Sequence, residues 1–212
     1  MSTPIEFYYW PTPNGWKVSI MLEELGVPYD LKYVHIGKDE QFEPAFLEVS
    51  PNNKIPAIRD HDGPGGEPVT VFESGAILIY LAEKFGKFYP DDPRARIQLH
   101  EWLCWQVGGL GPMAGQAHHF RFFAKEKIPY AIRRYTEEVE RLYDVMDARL
   151  EGRDWLVDEY SIADIACVGW VSAYERQGQD IDEFPNLKAW FERMRARPAV
   201  HRGMELGIEL RK

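Results

Sequence analysis

The chain has 212 residues, of which 45% are hydrophobic, and it contains seven Trp, eleven Tyr and eleven Phe. This apolar content is sufficient for one large packed domain or two small ones. The formal net charge of −9 argues against broad binding to nucleic acid or to anionic membranes.

Two further features bear on the compartment. The sequence begins with no charged-then-apolar signal segment, and it has no apolar run of bilayer-spanning length. Its two cysteines, Cys104 and Cys167, do not form the pattern of a secreted disulfide framework. We therefore expect a cytoplasmic protein that has neither a membrane nor a nucleic-acid partner.

Strands and helices alternate over the first 86 residues. Strands are predicted at 5–9, 29–34, 57–60 and 69–72, and helices at 17–25, 44–49 and 75–85. The last two strands are expected to form a hairpin around the Gly- and Pro-rich loop 61–68. The order is βαβ followed by αββα, which is typical of an α/β domain.

The second part of the chain is predicted to be helical throughout. Helices are expected at 94–107, 129–150 and 184–196, with a short one at the C-terminal end and an interruption at Gly108–Pro112. Ser161 and Asp164 have the spacing of a capping box, which marks the start of another helix. We therefore predict an α/β domain at 1–86, a linker at 87–93 and an all-helical domain at 94–212.

The stretch from Ser50 to Ile58 indicates a strand edge that is open to a peptide. Pro56 has no backbone N–H and precedes an apolar strand, so the peptide unit of Ile55 is available to something other than protein. The alternative is that Pro56 simply ends an edge strand.

Glu73 and Ser74 strengthen the peptide interpretation. An acidic residue beside a serine at a helix start places a partner for a cation next to a site for an anion. A surface charge and an ordinary helix cap are the alternatives. Together with Ile55, however, the pair suits a small zwitterionic peptide, and glutathione is such a peptide.

Four stretches carry a resemblance to a known family: Pro11–Gly15, Ser50–Pro56, Phe72–Ile77 and Trp105–Met113. With the βαβαββα order and the helical second part, they resemble the cytosolic glutathione transferases. The first and last stretches resemble the bacterial Nu-class group, whose members are disulfide-bond oxidoreductases related to the yeast prion-forming nitrogen regulator. The resemblance implies a thioredoxin-like fold, a homodimer, a glutathione or glutathione disulfide site in each subunit, and no metal.

The resemblance also implies which residues contact glutathione, namely Asn14, Gln41, Lys54, Ile55, Glu73, Ser74 and Arg134. Ser74 would bind the γ-glutamyl carboxylate, and Glu73 would bind the γ-glutamyl ammonium. Ile55, before a cis peptide bond, would pair with the cysteinyl unit as an added strand does.

Three of these contacts concern the carboxylate groups of the ligand. Gln41 matches the family position at the glycine end, and Lys54 and Asn53 are plausible helpers there. Arg134 matches the position that reaches a carboxylate from the helical domain. A solvated loop or helix residue is the alternative for each.

The chemistry is expected at the turn that contains Thr12 and Asn14. This turn has no cysteine, and neither residue can act as a base at neutral pH, so the sulfur must come from the ligand. The helix start and the Asn14 amide or Thr12 hydroxyl would stabilise the glutathione thiolate. A simple turn or cap is the alternative for both, and a phenol donor from Tyr9 is another.

The first functional hypothesis is a glutathione-dependent disulfide-bond reductase acting on a small disulfide. A transferase or peroxidase acting on electrophiles or organic hydroperoxides is an alternative, because each needs only a bound thiolate. A non-catalytic glutathione-binding regulator is the third. The pair His118-His119 lacks the spacing of a zinc site and is expected to line an apolar wall.

Overall fold

The structure is a computed structural model that describes residues 4–211. Its strands are β1 (Ile5–Tyr9), β2 (Tyr29–Tyr33), β3 (Ala57–Asp60) and β4 (Val69–Phe72). Its α-helices are α1 (Pro13–Leu25), α2 (Pro44–Leu47), α3 (Ser74–Phe85), α4 (Pro93–Trp105), α5 (Gly111–His118), α6 (Pro129–Leu150), α7 (Ile162–Val171), α8 (Tyr174–Gln177), α9 (Pro185–Arg195) and α10 (Pro198–Glu205). None of these helices is long and apolar enough to cross a bilayer.

The four strands form one mixed sheet in the order β2-β1-β3-β4. β1 pairs in parallel with β2, whereas β3 is antiparallel to both β1 and β4. Phe7 and Ile58 of the central strands are fully buried, as are Ile20 of α1 and Leu78 of α3. The predicted α/β class and the β3–β4 hairpin are therefore confirmed.

Helix α1 begins four residues earlier than its apolar spacing predicts. Thr12 caps it, because its hydroxyl accepts a hydrogen bond from the Gly15 N–H at 3.1 Å. Pro13 suits the first helical position, where no N–H is needed. Gly26 ends the helix with a positive φ of 67°.

The chain divides into two compact units. One contains residues 87–197, and the other contains the residues up to 86 together with those from 198 onwards. Helix α10 packs on α1 in the unit that contains the N-terminal residues. There, the Ser19 hydroxyl donates to the Gly203 carbonyl at 2.6 Å. This grouping of the C-terminal helix differs from the predicted domain division, which stays a prediction, because local pattern does not show which face an amphipathic helix covers.

The interruption predicted at Gly108–Pro112 is a π-helical turn. Residues Gln106–Leu110 form this turn between α4 and α5, and the Gly111 N–H bonds to the Gln106 carbonyl five residues back. The wider turn accommodates Pro112, which has no N–H to donate. The chain therefore stays helical through this segment.

The capping box at the start of α7 is confirmed. The Ser161 hydroxyl accepts from the Ala163 N–H, and the Asp164 carboxylate accepts from the Ser161 N–H at 3.1 Å. Asp164 is fully buried and also accepts from the Trp190 indole at 2.8 Å. These hydrogen bonds offset the cost of burying a carboxyl group in the helical unit.

The contact between α1 and α10 leads to a first prediction. A Cβ at Gly203 would lie 2.7 Å from the Ile20 backbone N, so Gly203→Ala forces the two helices apart. We expect a loss of about 2 kcal/mol in the free energy of unfolding. Chemical denaturation followed by circular dichroism measures it.

Gly108→Ala is the matched control, because a Cβ at Gly108 meets no atom within 4 Å. It adds the same methyl group to a helical position without a close neighbour and should not lower stability. Equal stability of the two variants would contradict close packing at Gly203.

Candidate functional site

Three chain segments meet at one edge of the sheet. Tyr8 pairs with Ala57, and Ala57 pairs with Phe72, so these three residues lie in a row across β1, β3 and β4. β1 and β4 end at this edge, and β3 begins there. The starts of α1 and α3 and the loop before β3 consequently lie side by side.

A cavity of about 170 Å³ lies at this edge. It is lined by Asn14, Ser50, Asn52, Lys54, Ile55, Pro56, Phe72, Glu73 and Ser74. Five of the seven predicted glutathione contacts are among these residues, although they come from three separate stretches of sequence. Sequence reasoning did not single out Ser50, Asn52 or Phe72 as site residues.

The loop before β3 is held by its own hydrogen bonds and by a small apolar cluster. The Ser50 hydroxyl donates to the Lys54 carbonyl at 2.8 Å, and the Asn53 N–H donates to the Ser50 carbonyl at 3.0 Å. The side chain of Ile55 packs on a buried cluster that includes Phe46 and Val49. Contacts within the protein therefore support the loop beside the cavity.

The peptide bond between Ile55 and Pro56 is cis, as expected. Within residues 4–211, no loop hydrogen bond uses the N–H or C=O of Ile55. This peptide unit borders the cavity and is therefore available to an extended ligand.

Helix α3 begins at the cavity with Ser74. The N–H groups of its first turn lack acceptors within the helix, which favours an anion at this end. Glu73, the residue before it, has φ 70° and ψ 115°, a conformation that residues with side chains rarely adopt. Such strain is typical of functional positions, and here it places Glu73 beside Ser74 in the cavity wall.

Lys17 is a residue that the sequence analysis missed. Its side chain is only 2% exposed, and its ammonium group donates to the Ser74 hydroxyl at 3.2 Å. Ser74 is the first residue of α3, so this hydrogen bond joins α1 to the start of α3. The available signal was a lysine between Trp16 and Val18 in an otherwise apolar helical segment.

At the start of α1, Asn14 and Thr12 differ in position. Asn14 lines the cavity, whereas Thr12 uses its hydroxyl to cap the helix and is not among the lining residues. A Cβ at Gly15 would lie 2.3 Å from the Trp10 carbonyl, so only glycine permits this close turn. The catalytic roles of Asn14 and Thr12 stay predictions.

Neither nearby tyrosine offers a phenol to the cavity. Tyr9 is fully buried and donates to the Leu206 carbonyl at 2.8 Å. Tyr8 donates to the Glu6 carboxylate at 2.8 Å, and desolvation together with this hydrogen bond raises the pKa of Tyr8 to about 12. The buried Tyr9 phenol with its carbonyl partner argues against the alternative in which Tyr9 activates the thiol.

Gln41 and Arg134 do not line this cavity. Gln41 lies in a short helical turn, and its side-chain amide is 3.5 Å from the Asp39 carboxylate. Arg134 lines a cavity of about 430 Å³ within the helical unit, together with Arg133 and Tyr130. The glutathione contacts assigned to both residues stay predictions.

Metal and cysteine chemistry receive no support from the described residues. Residues 4–211 contain no group of three His, Cys, Asp or Glu side chains placed to hold a metal ion. Cys104 and Cys167 lie in the helical unit and form no disulfide, and the first is exposed whereas the second is buried. The ring of His118 lies 4.9 Å from that of Phe123, in line with an aromatic wall.

Two family models match this chain. One is described as Glutathione S-transferase, N-terminal domain, and matches residues 12–84. The other is described as Glutathione S-transferase, C-terminal domain, and matches residues 111–198. The chain is 54% identical over 210 residues to the disulfide-bond oxidoreductase YfcG of Escherichia coli, with 97% of this chain and 98% of YfcG covered.

Two more distant similarities are informative. A glutathione transferase of Pseudomonas putida, crystallised with one glutathione disulfide per subunit, has a TM-score of 0.91 and 45% identity over 96% of this chain and 91% of that one. The transcriptional regulator URE2 of Saccharomyces cerevisiae is 36% identical over 234 residues, covering 92% of this chain and 65% of URE2. The resemblance and the fold class inferred from the motifs are thereby confirmed.

The geometry at Glu73 leads to a second prediction. Glu73→Gln keeps the size of the side chain and the strained backbone but removes the negative charge that would bind the γ-glutamyl ammonium. We expect the affinity for glutathione to fall by roughly 10- to 100-fold, the usual effect of losing a charged hydrogen-bond partner. Isothermal titration calorimetry measures it.

Glu67→Gln, in the exposed loop before β4, is the control with the same change of charge and should bind as the wild type does. Unchanged affinity in Glu73→Gln would remove Glu73 from the site.

Proposed function

Because the chain belongs to the glutathione S-transferase family, we propose that it is a glutathione-dependent disulfide-bond reductase. The observation that carries the proposal is the cavity at the sheet edge, which joins the start of α1, the Ile55 peptide unit and the Glu73–Ser74 pair. It holds acceptors and donors for a peptide but no cysteine of its own. The reacting sulfur is therefore that of glutathione.

The proposed binding mode follows the polarity of the cavity wall. The γ-glutamyl carboxylate lies at Ser74 and the start of α3, and the γ-glutamyl ammonium lies at Glu73. The cysteinyl unit pairs with the free N–H and C=O of Ile55, in the manner of an added strand. Its side chain then points to the start of α1, where Asn14 lies.

Asn14 is proposed to stabilise the thiolate. An amide N–H and the first N–H groups of a helix favour a negative sulfur, which lowers the thiol pKa. The Thr12 hydroxyl is the second candidate, since its role as acceptor in the cap leaves its proton available. Neither residue exchanges a proton with the substrate.

The reaction is two successive thiol–disulfide exchanges. The bound thiolate attacks one sulfur of the substrate disulfide, which forms a mixed disulfide with glutathione and releases the other half as a thiolate. A second glutathione thiolate attacks the glutathione sulfur of the mixed disulfide, releasing the remaining thiolate and forming glutathione disulfide. Two glutathione molecules supply the two electrons, and the released thiolates take protons from solvent.

The remaining assignments belong to the same proposal. Gln41, Lys54 and Arg134 bind the carboxylate groups of the ligand, as the family resemblance suggests. The protein acts as a homodimer in the cytoplasm. Phe123 and Tyr130 are 68% and 64% exposed, and such exposed aromatic side chains support an interface with a second subunit. Residues 1–86 and 94–212 are proposed as its domains, with a linker at 87–93.

The third prediction separates the candidate activities. We expect glutathione-dependent turnover of 2-hydroxyethyl disulfide to exceed turnover of 1-chloro-2,4-dinitrobenzene and of cumene hydroperoxide in the same preparation. A bound thiolate would serve all three reactions, and the reason to favour the disulfide is the 54% identity of the chain to a disulfide-bond oxidoreductase. Coupled assays at equal glutathione concentration give the three kcat/KM values.

If conjugation or peroxide reduction dominates, the transferase or peroxidase alternative replaces the reductase. If all three activities are absent while glutathione disulfide still binds, the non-catalytic regulator is the better description.

The fourth prediction tests the source of the sulfur. Asn14→Ala should lower kcat for disulfide reduction by roughly 100-fold, because one preorganised donor to a developing or bound anion is lost. The pH–rate profile should also move to higher pH, since the bound thiol then has a higher pKa. Stopped-flow and steady-state assays between pH 6 and about 9 cover the thiol's titration range.

The double variant Cys104→Ala, Cys167→Ala is the control and should keep wild-type turnover. A loss of activity in that variant, with Asn14→Ala unaffected, would place the sulfur chemistry on the protein.

A further inference from the structure

Lys17 has a position that the thiol chemistry leaves unexplained. It lies in the second turn of α1, is 2% exposed, and donates to the Ser74 hydroxyl at 3.2 Å. We infer that Lys17 is a positioning residue that makes Ser74 selective for the α-carboxylate of the γ-glutamyl group. This inference rests on the proposed glutathione site and names a determinant of its specificity.

The hydrogen bond between Lys17 and Ser74 has a defined direction. An ammonium group can only donate, so the Ser74 oxygen is the acceptor in this pair. A hydroxyl has a single proton, and this proton is then directed away from Lys17. Ser74 also lines the cavity, so its proton is available to a ligand acceptor there. A carboxylate accepts hydrogen bonds and cannot donate them, which makes it the matching group.

The positive charge of Lys17 acts on Ser74 through this hydrogen bond. A hydroxyl that accepts from a cation becomes a better donor, because hydrogen bonds in a chain polarise one another. The ammonium is also buried, where its field is screened less than at the surface. Both effects favour an anion at Ser74. They also offset the repulsion that the neighbouring Glu73 carboxylate exerts on that anion.

Helix α1 carries both Lys17 and Asn14. Asn14 and Lys17 are three residues apart on α1 and therefore lie on the same side of the helix. One lines the cavity, and the other bonds to Ser74, which lines the same cavity. The residues around Lys17, including Trp16 and Val18, are buried, so the lysine is held in place by packing. A single rigid helix thus supports both the sulfur end and the carboxylate end of the ligand.

The experiment measures selectivity for one carboxylate. The ligands are glutathione and γ-aminobutyryl-cysteinyl-glycine, which is glutathione without the α-carboxylate of its first residue. The variants are Lys17→Gln, which keeps a neutral donor, and Lys17→Met, which keeps none. Lys32→Gln is the control, because it makes the same change of charge at an exposed position of β2. Calorimetric titration gives the dissociation constant for each pair.

The wild type should bind glutathione more tightly than the analogue. Lys17→Gln should lose roughly 10- to 100-fold in affinity for glutathione but about twofold or less for the analogue. Lys17→Met should lose at least as much for glutathione, and Lys32→Gln should match the wild type. Far-UV circular dichroism and thermal melts check that each variant is folded. If Lys17→Met does not fold, Lys17→Gln alone carries the test.

Two results would overturn the inference. If Lys17→Gln weakens both ligands equally, the lysine has a general structural role. If it weakens neither, the lysine has no role in binding. The proposed function has a separate readout, because a wild type that discriminates between the two ligands but does not reduce disulfides would overturn the reductase and leave the Lys17 inference standing.

Discussion

The alignment of three strand ends is the constraint on which the candidate site depends. Tyr8, Ala57 and Phe72 lie in register across β1, β3 and β4, so two strands end and one begins at the same edge. Backbone hydrogen bonds set this register, and a slip of one residue would turn the buried faces of Phe7 and Ile58 outward. The core and the site are therefore specified by the same pairing.

The position of helix α1 links the strand register to the place where the chemistry is proposed. Its start is placed by the end of β1, by the Thr12 cap and by the tight approach at Gly15. Its far side is covered by α10, which comes close at Gly203. The helix is thus contacted at its start and on its far side, and Lys17 joins it to the start of α3. A site that uses the sulfur of its ligand needs such support, because it must place a bound atom as reproducibly as an enzyme places its own side chain.

Local patterns predicted most of the fold. The structure has the predicted strand at 5–9 and the predicted hairpin from 57 to 72. Both are signalled by alternating apolar residues and Gly/Pro turns, which are patterns among residues close together in sequence. The apolar spacing starts α1 too late, because Thr12 and Pro13 are also compatible with a turn. The same residues are a helix cap and a first helical residue. The glycine-rich stretch before Pro112 predicts a break where the structure has a π-helical turn, because this pattern is compatible with both.

The sequence by itself determined the type of each element, the family and the chemical character of the Ile55, Glu73 and Ser74 group. Those features are encoded in residues close together along the chain. Only the tertiary structure decided that Asn14 shares a cavity with them, that Tyr9 is committed to the Leu206 carbonyl, and that Lys17 bonds to Ser74. The two hydrogen bonds join residues that are 197 and 57 positions apart. They depend on which helix faces pack together, and no local pattern encodes that.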